Sequence, residues 1–246
     1  MTDVLVLCYH AVSPTWPADL SVTPEAFEWQ LSRLVAHGWQ GSTFTEAVLN
    51  PPADRTLAVT FDDGFASVLQ LARPILDGLG VPATVFVPSA FMSTRQPLRW
   101  PGIEHWYDTP HAAELTGMDW RDLRELADLG WEIGSHTCSH PRLTELAPEA
   151  LERELLSSRE EVSENTGQQC RTIAYPYGDV DARVAEYARD AGYAAGAALS
   201  SSLRRLGPHR WPRVGVYHGD DERRFRLKVN GVIRQLRANR LYPSHE

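Results

Sequence analysis

Short apolar runs that alternate with longer amphipathic stretches are the feature of this sequence that most constrains its fold. The runs that we predict to be strands cover residues 4–9, 57–61, 83–87, 131–134, 172–175, 193–197 and 213–216. The stretches between them predict helices at about residues 24–37, 65–79, 120–129, 148–166, 181–191 and 222–237. Apolar strands that are separated by helices pair in parallel through βαβ units. The sequence therefore predicts an α/β fold built on a parallel sheet.

The number of strands narrows the fold class further. About seven strands in a chain of 246 residues predict a single domain with a closed or nearly closed (β/α) barrel. An open doubly wound sheet is the alternative, although no glycine-rich dinucleotide or phosphate-binding sequence follows a predicted strand. Ligands of both folds bind beyond the carboxyl ends of the strands. The long, aromatic segment 91–117 is expected to form an insertion over that mouth of the barrel.

Composition and charge exclude several classes of partner. The chain has a formal net charge of −8, which argues against nucleic acid or an anionic membrane surface as a partner. No apolar run reaches the length of about 18 residues that predicts a membrane span. The cysteines, Cys8, Cys138 and Cys170, are odd in number and far apart, and no basic, apolar leader opens the sequence. We therefore expect a reduced, cytoplasmic protein, whose oligomeric state the sequence does not indicate.

Two adjacent carboxylates follow the second predicted strand directly, in the sequence Thr60-Phe61-Asp62-Asp63-Gly64. A single carboxylate at this position is often the cap of the next helix, but capping alone does not explain two carboxylates followed by a permissive glycine. Neighbouring residues at an extended strand end point in different directions, so one can bind a metal while the other faces a substrate. A metal also keeps the adjacent carboxylate ionised, as a general base requires.

Two histidines four residues apart follow the fourth predicted strand, in the sequence Ser135-His136-Thr137-Cys138-Ser139-His140-Pro141. If this segment forms a helical turn, both imidazoles lie on one side, and neutral histidine is a common Zn²⁺ ligand. Two exposed histidines in a loop rich in serine and threonine are the alternative. Because the histidines and the aspartates each lie just beyond a strand, we expect them to converge at one mouth. Two histidines and one aspartate leave positions open for water and substrate.

Two further strand ends carry candidate residues. The sequence Ala174-Tyr175-Pro176-Tyr177-Gly178 follows a strand and is by itself typical of a tight turn before a helix. His10 ends the first strand, a position where a single histidine is usually structural.

The sequence resembles the NodB-type polysaccharide deacetylases of carbohydrate esterase family 4. The resemblance rests on three motifs that occur in the same order, T-F-D-D-G, H-T-x-x-H and a P-Y-G turn. The resemblance runs from about residue 5 to residue 216, within a domain expected to cover residues 1–246. It implies a distorted (β/α) barrel that removes N- or O-acetyl groups from glycans with a divalent metal. Zinc is the expected metal, with Co²⁺, Ni²⁺ or Fe²⁺ as alternatives.

The resemblance also implies roles for individual residues. Carried over by position, Asp63, His136 and His140 are the metal ligands and Asp62 is the general base. The backbone N–H of Tyr177 contributes to the oxyanion hole, and the aromatic residues of segment 91–117 are expected to pack against sugar faces.

The sequence departs from the family at two positions. Many members have an arginine two residues before the proline of the third motif, where it holds the catalytic aspartate, and here that position is Ala174. Arg213, on a later strand, is the candidate replacement. The late L-x-H sequence that supplies the catalytic acid is also missing, but residues 7–10 carry a similar pattern at the other end of the chain. The first and last strands of a closed barrel are neighbours, so His10 is the predicted acid, as in permuted exopolysaccharide deacetylases.

These residues predict a metal-dependent hydrolase that removes an N-acetyl group from a sugar or glycan. A deformylase or a cyclic-amide hydrolase on the same metal site is an alternative that the changed arginine position keeps open. A non-catalytic glycan-binding barrel is a second alternative, although it would not need the full set of aspartates and histidines. An iron oxygenase is a third, because two histidines and one carboxylate also suit non-haem Fe(II).

Overall fold

Strands form at or beside each apolar run of the sequence. The computed structural model describes residues 2–239, so Met1 and residues 240–246 of the expected domain lie outside the described part. The strands are β1 (Asp3–Tyr9), β2 (Ala11–Val12), β3 (Ser21–Val22), β4 (Gln40–Ser42), β5 (Arg55–Phe61), β6 (Ala83–Val87), β7 (Glu132–Ser135), β8 (Thr172–Ala174), β9 (Ala195–Ala198), β10 (Trp211–Pro212) and β11 (Val214–Gly215).

Helices connect the strands and begin at capping residues that the sequence makes recognisable. The Thr23 side chain accepts the backbone N–H of Ala26, and Asp119 caps a later helix in the same way. Gly167 ends the longest described helix in the left-handed conformation, with φ 74°. The α-helices are α1 (Pro24–Ala36), α2 (Phe44–Leu49), α3 (Arg73–Leu79), α4 (Trp120–Asp128), α5 (Pro148–Thr166), α6 (Ala182–Asp190), α7 (Glu222–Val229) and α8 (Gly231–Arg237). From residue 2 to residue 239, none of them is both long and apolar enough to cross a membrane.

The main sheet curves into a nearly closed barrel. Within residues 2–239, nine strands join it in the order β10-β9-β8-β7-β6-β5-β1-β11, with β4 beside β5. β10 and β11 are two halves of one segment on either side of Arg213. Trp211 in the first half pairs in parallel with Ala197 of β9, and Val214 in the second half pairs in parallel with Leu7 of β1. The last strand segment therefore connects both edges of the sheet, which confirms the predicted single-domain α/β fold with a (β/α) barrel.

Side chains alternate between the two sides of each barrel strand. Leu5 of β1 belongs to the large apolar cluster beneath the helices, whereas Val6 belongs to a smaller cluster with Phe44 and Phe86. The rings of these two phenylalanines pack edge to face with centroids 5.6 Å apart. Alanines on β8 and β9 complete this smaller cluster. The barrel is therefore a packed core, and the space for a ligand lies above it.

Two of the predicted helices depart from one regular α-helix, each for a local reason. Residues Val68–Ala72 form a π-helical turn before α3. Pro74 has no N–H for the regular helical bond, and the N–H of Arg73 donates to Val68 instead. The helix predicted over residues 222–237 is wrong as one element, because Asn230 is extended (φ −62°, ψ 126°). Its side chain caps the second piece by accepting the N–H of Val232.

Five short strands and helices were not predicted, namely β2, β3, β4, β10 and α2. Each is six residues or shorter. A periodic pattern of apolar residues needs a longer window to be recognisable. Tertiary contacts fix these elements instead; for example, the N–H of Phe44 at the start of α2 donates to the hydroxyl of Thr84 on β6 at 2.8 Å.

Candidate functional site

The candidate residues meet at the carboxyl ends of the barrel strands. His10 follows β1, Asp62 and Asp63 follow β5, and His136 follows β7. Parallel strands bring these ends to one mouth of the barrel. A cavity of about 530 Å³ opens there, and it is lined by all of the predicted site residues except Arg213, namely His10, Asp62, Asp63, His136, His140 and Tyr177.

Asp63, His136 and His140 direct three donor atoms at one point. Oδ1 of Asp63 lies 3.4 Å from Nε2 of His136 and 3.3 Å from Nε2 of His140. Two ligand atoms that each lie about 2.0–2.1 Å from a tetrahedral Zn²⁺ ion are about 3.4 Å apart, whereas charge-assisted hydrogen bonds are about 2.7–2.9 Å long. The spacing and the donor set therefore fit a divalent metal that is shared by the three side chains.

The surroundings of these residues suit metal ligands. Nδ1 of His136 lies 2.8 Å from the carbonyl oxygen of Ala174. A proton on Nδ1 donates to this carbonyl, which leaves the lone pair on Nε2 for a metal. Burial by itself raises the pKa of Asp63, but the interactions with His136 and His140 outweigh it and hold this pKa far below its ordinary value. These interactions therefore favour the carboxylate form of Asp63.

The histidine pair converges although residues 136–140 do not form a helical turn. β7 ends at Ser135, and Thr137 and His140 take left-handed backbone conformations, with φ 69° and 61°. Glu154 of α5 holds the intervening loop, since its carboxylate accepts the backbone N–H groups of Cys138 and Ser139 at 2.8 and 3.0 Å. A tight loop anchored on a helix, rather than a helix of its own, places the two imidazoles together.

Backbone strain is concentrated at this mouth of the barrel. Within residues 2–239, the residues other than glycine with positive φ are Asp63, Thr137, His140 and Tyr177. Such conformations cost roughly 1–3 kcal/mol each, and they persist where the surrounding structure determines them. All four lie in the strand-end segments that form the cavity. The geometry of this site is therefore maintained at a cost in the stability of the fold.

Asp62 points away from the three ligands and is bound by Arg213. Nη1 and Nη2 of Arg213 donate to the two carboxylate oxygens of Asp62 at 2.6 and 2.7 Å. Burial by itself raises the pKa of Asp62, but Arg213 and His136 together outweigh it, so this pKa lies below its ordinary value. Arg213 therefore lies where the replacement for the arginine missing at Ala174 was expected, and Asp62 is kept ionised in a buried position.

His10 lies beside Asp62. The donor atoms of Cys8, His10 and Asp62 lie within 4.8 Å of one another, and the Cys8 thiol donates to Asp62 at 3.5 Å. The cation of Arg213 already neutralises Asp62, so this group is a poor site for a second metal. Nδ1 of His10 is buried and has no hydrogen-bond partner among residues 2–239. Burial lowers the pKa of His10, which makes the imidazole a stronger acid once protonated.

Aromatic side chains form the walls of the cavity. Trp100, Trp106 and His105 of the segment 91–117 line it. The Trp100 ring stacks on His140 with centroids 4.3 Å apart, and the half-exposed Tyr177 packs edge-on against the other side of His140 at 4.7 Å. The segment 91–117 thus contributes flat apolar surfaces directly beside His140.

The sequence did not single out two residues of the site. Glu154 is one of many acidic residues on α5, and its only distinguishing signal is its position beside the buried Leu155. Tyr217, which lines the cavity next to His10, lies beyond the last predicted strand. Both act through tertiary contacts that no local pattern encodes.

Comparison with known proteins finds sequence relatives over most of the chain. A family model described as polysaccharide deacetylase matches residues 49–196, which is more than half of the chain. YxkH of Bacillus subtilis, whose name assigns it to the polysaccharide deacetylases, is 28% identical over 221 residues, which cover 87% of this chain and 71% of that protein. The poly-β-1,6-N-acetyl-D-glucosamine N-deacetylase of Staphylococcus aureus is 24% identical over 173 residues, which cover 65% of this chain and 54% of that protein.

The fold has relatives among solved structures. The structure of the Streptococcus pyogenes deacetylase PplD in complex with acetate matches with a TM-score of 0.76 at 20% identity, covering 92% of this chain and 98% of that one. At this identity the match speaks for the fold alone. The family assignment rests on the sequence match, and on that ground this chain belongs to the polysaccharide deacetylase family.

Proposed function

We propose that this protein is a metal-dependent hydrolase that removes the N-acetyl group from an N-acetylated sugar or glycan. The observation that carries the proposal is the pairing of two differently held aspartates at one strand end. Asp63 faces His136 and His140 at metal-ligand spacing, while Asp62 is held as a buried carboxylate by Arg213. A metal site next to an ionised base is the arrangement that hydrolysis of an amide by water requires.

Asp63, His136 and His140 would hold the metal, with zinc as the first candidate and Co²⁺, Ni²⁺ or Fe²⁺ as alternatives. A bound divalent cation would supply Lewis acidity toward the acetyl carbonyl and the attacking water.

The other residues of the site would transfer protons, stabilise the oxyanion and hold the sugar. Asp62 accepts the proton of the attacking water, and Arg213 keeps this carboxylate ionised and oriented until it does so. The backbone N–H of Tyr177 donates to the oxygen that becomes negatively charged. His10, beside Asp62, donates a proton to the nitrogen that leaves as an amine. The aromatic walls around Trp100 and Trp106 pack against the apolar faces of the sugar ring.

Acetate release from a panel of N-acetylhexosamine compounds tests this proposal, with and without a chelator and with each metal added back. Deacetylation that is lost with the chelator and restored by a metal supports it. The panel also includes N-formyl sugars and cyclic amides, because release of formate or ring opening without acetate would assign the site to the alternative hydrolases. Sugar binding without turnover of any substrate would contradict the proposal and support the alternative of a non-catalytic glycan-binding barrel.

A cytoplasmic location belongs to this proposal as well. Cys8, Cys138 and Cys170 are unpaired, and two of them are buried, as is common in reducing compartments. Fractionation of cells that produce the natural protein checks this, and recovery from the medium or the cell wall would contradict it.

A further inference from the structure

A second groove opens directly beside the cavity that holds the candidate metal ligands. It has a volume of about 650 Å³ and shares Tyr177, Gly178 and Leu199 with that cavity. The two spaces are therefore close enough for a substrate whose N-acetylated sugar lies at the metal ligands to place its neighbouring residue in the second one. We call it the arginine groove, because Arg142, Arg204 and Arg210 line it.

Arg142 is held at the boundary between the two spaces. Its guanidinium lies 4.4 Å from the centroid of the Tyr177 ring, and that ring also contacts the imidazole of His140, with centroids 4.7 Å apart. Stacking on an aromatic face restricts the side chain without using any of its N–H donors. A cation is thus placed one ring away from a proposed metal ligand.

The donors of two arginines in this groove are unused. From residue 2 to residue 239, the guanidinium groups of Arg142 and Arg204 take part in no hydrogen bond or ion pair. The acidic side chains of the groove are engaged elsewhere: Asp179 accepts the Thr144 hydroxyl at 2.6 Å and Asp181 caps α6. Three arginines against two engaged carboxylates leave an excess of positive charge, in a chain whose net charge is −8.

We propose that the arginine groove binds an anionic group, a phosphate or a carboxylate, carried by the residue next to the sugar that is deacetylated. The planar guanidinium matches both kinds of oxyanion through two parallel N–H donors. The proposal rests on the proposed function for the location of the sugar. It narrows the substrate class from N-acetylated glycans in general to those with a phosphodiester or a uronate at that position.

Kinetics with three substrates and matched variants test it. The substrates are a neutral chitotetraose, a disaccharide with glucuronate next to N-acetylglucosamine, and N-acetylglucosamine joined to a phosphodiester. For the preferred anionic substrate we expect Arg142→Gln and Arg204→Gln each to lower kcat/KM about 5- to 10-fold, with little change for chitotetraose. Arg142→Lys should retain part of the preference, and the exposed Arg153 on α5 supplies the control variant Arg153→Gln. The anionic substrate whose kcat/KM falls in the arginine variants identifies the bound group as a phosphate or a carboxylate.

Equilibrium binding separates this inference from the proposed function. Dissociation constants of N-acetylglucosamine and N-acetylglucosamine 1-phosphate are compared by calorimetry at low and high salt. Tighter, salt-sensitive binding of the phosphate that disappears in the Arg142→Gln, Arg204→Gln double variant supports the groove, even if no acetate is released. Equal binding of both sugars by the unaltered protein, or a preference that the double variant keeps, overturns it.

Discussion

Arg213 and Asp62 form a bidentate ion pair across 151 residues of sequence, with both side chains buried. Arg213 lies between β10 and β11, on the segment that connects the two edges of the sheet. It therefore reaches Asp62 only because the barrel is nearly closed. Buried pairs of this kind contribute little net stability, but loss of one partner leaves an uncompensated charge. The pair is better understood as a device that orients the carboxylate and keeps it ionised.

Replacement of Arg213 by methionine should move the pH dependence of the reaction. Burial raises the pKa of Asp62, whereas Arg213 and, to a smaller extent, His136 lower it, and the lowering currently prevails. Without the arginine, burial raises the pKa of Asp62, so more of the base is protonated at a given acidic pH. We expect the acid limb of the kcat/KM profile to shift to higher pH in Arg213→Met, and the free energy of unfolding at neutral pH to fall by about 3–5 kcal/mol.

Arg213→Lys provides the control for this shift, because it retains the positive charge but loses the bidentate geometry. Its acid limb should stay near that of the unaltered protein while its rate falls. An acid limb that is identical in all three proteins would show that Asp62 is not the group that titrates.

The two neighbouring aspartates should respond differently to the same substitution. Asp62→Asn removes the base, so turnover should fall by about 10²- to 10⁴-fold while the protein still binds one equivalent of metal. Asp63→Asn removes a ligand, so metal and activity should be lost together, and His136→Ala should behave in the same way. Metal content by elemental analysis and acetate release are measured on the same samples. Full activity in Asp62→Asn, or full metal content in Asp63→Asn, would reverse the roles assigned here.

Glu154 should matter for metal binding although it is not a ligand. Its carboxylate accepts two backbone N–H groups and the Ser139 hydroxyl in the loop between the two histidines. Glu154→Ala leaves these donors without their acceptor, and we expect the metal affinity to fall by about 10- to 100-fold. The control is Glu152→Ala on the exposed face of the same helix, which should not change the affinity. Competition with a chromogenic chelator measures both, and equal affinities would show that the loop holds its shape without Glu154.

The sequence alone was informative where a residue's position depends on a strand end, whereas Arg213, whose position depends on closure of the barrel, was named only through the family resemblance. The ends of β1, β5 and β7 could be predicted from short apolar runs, and with them the meeting of His10, Asp62 and His136 at one mouth. The contact of Arg213 with Asp62 required the register of the closing segment, which no local periodicity carries. The loop between His136 and His140 was equally hidden, because its left-handed residues are not glycines and its anchor lies on α5.

The role of His10 can be separated from that of Asp62 by the choice of leaving group. An amine leaves a tetrahedral intermediate only after its nitrogen is protonated, whereas 4-nitrophenolate leaves without a proton. His10→Gln should therefore lower deacetylation of an N-acetylated sugar by about 10²- to 10⁴-fold and change hydrolysis of 4-nitrophenyl acetate little. Asp62→Asn should lower both rates, because both reactions need the attacking water to be deprotonated. A parallel loss of both activities in His10→Gln would instead assign to His10 a structural role beside Asp62, for which its buried position already provides the contacts.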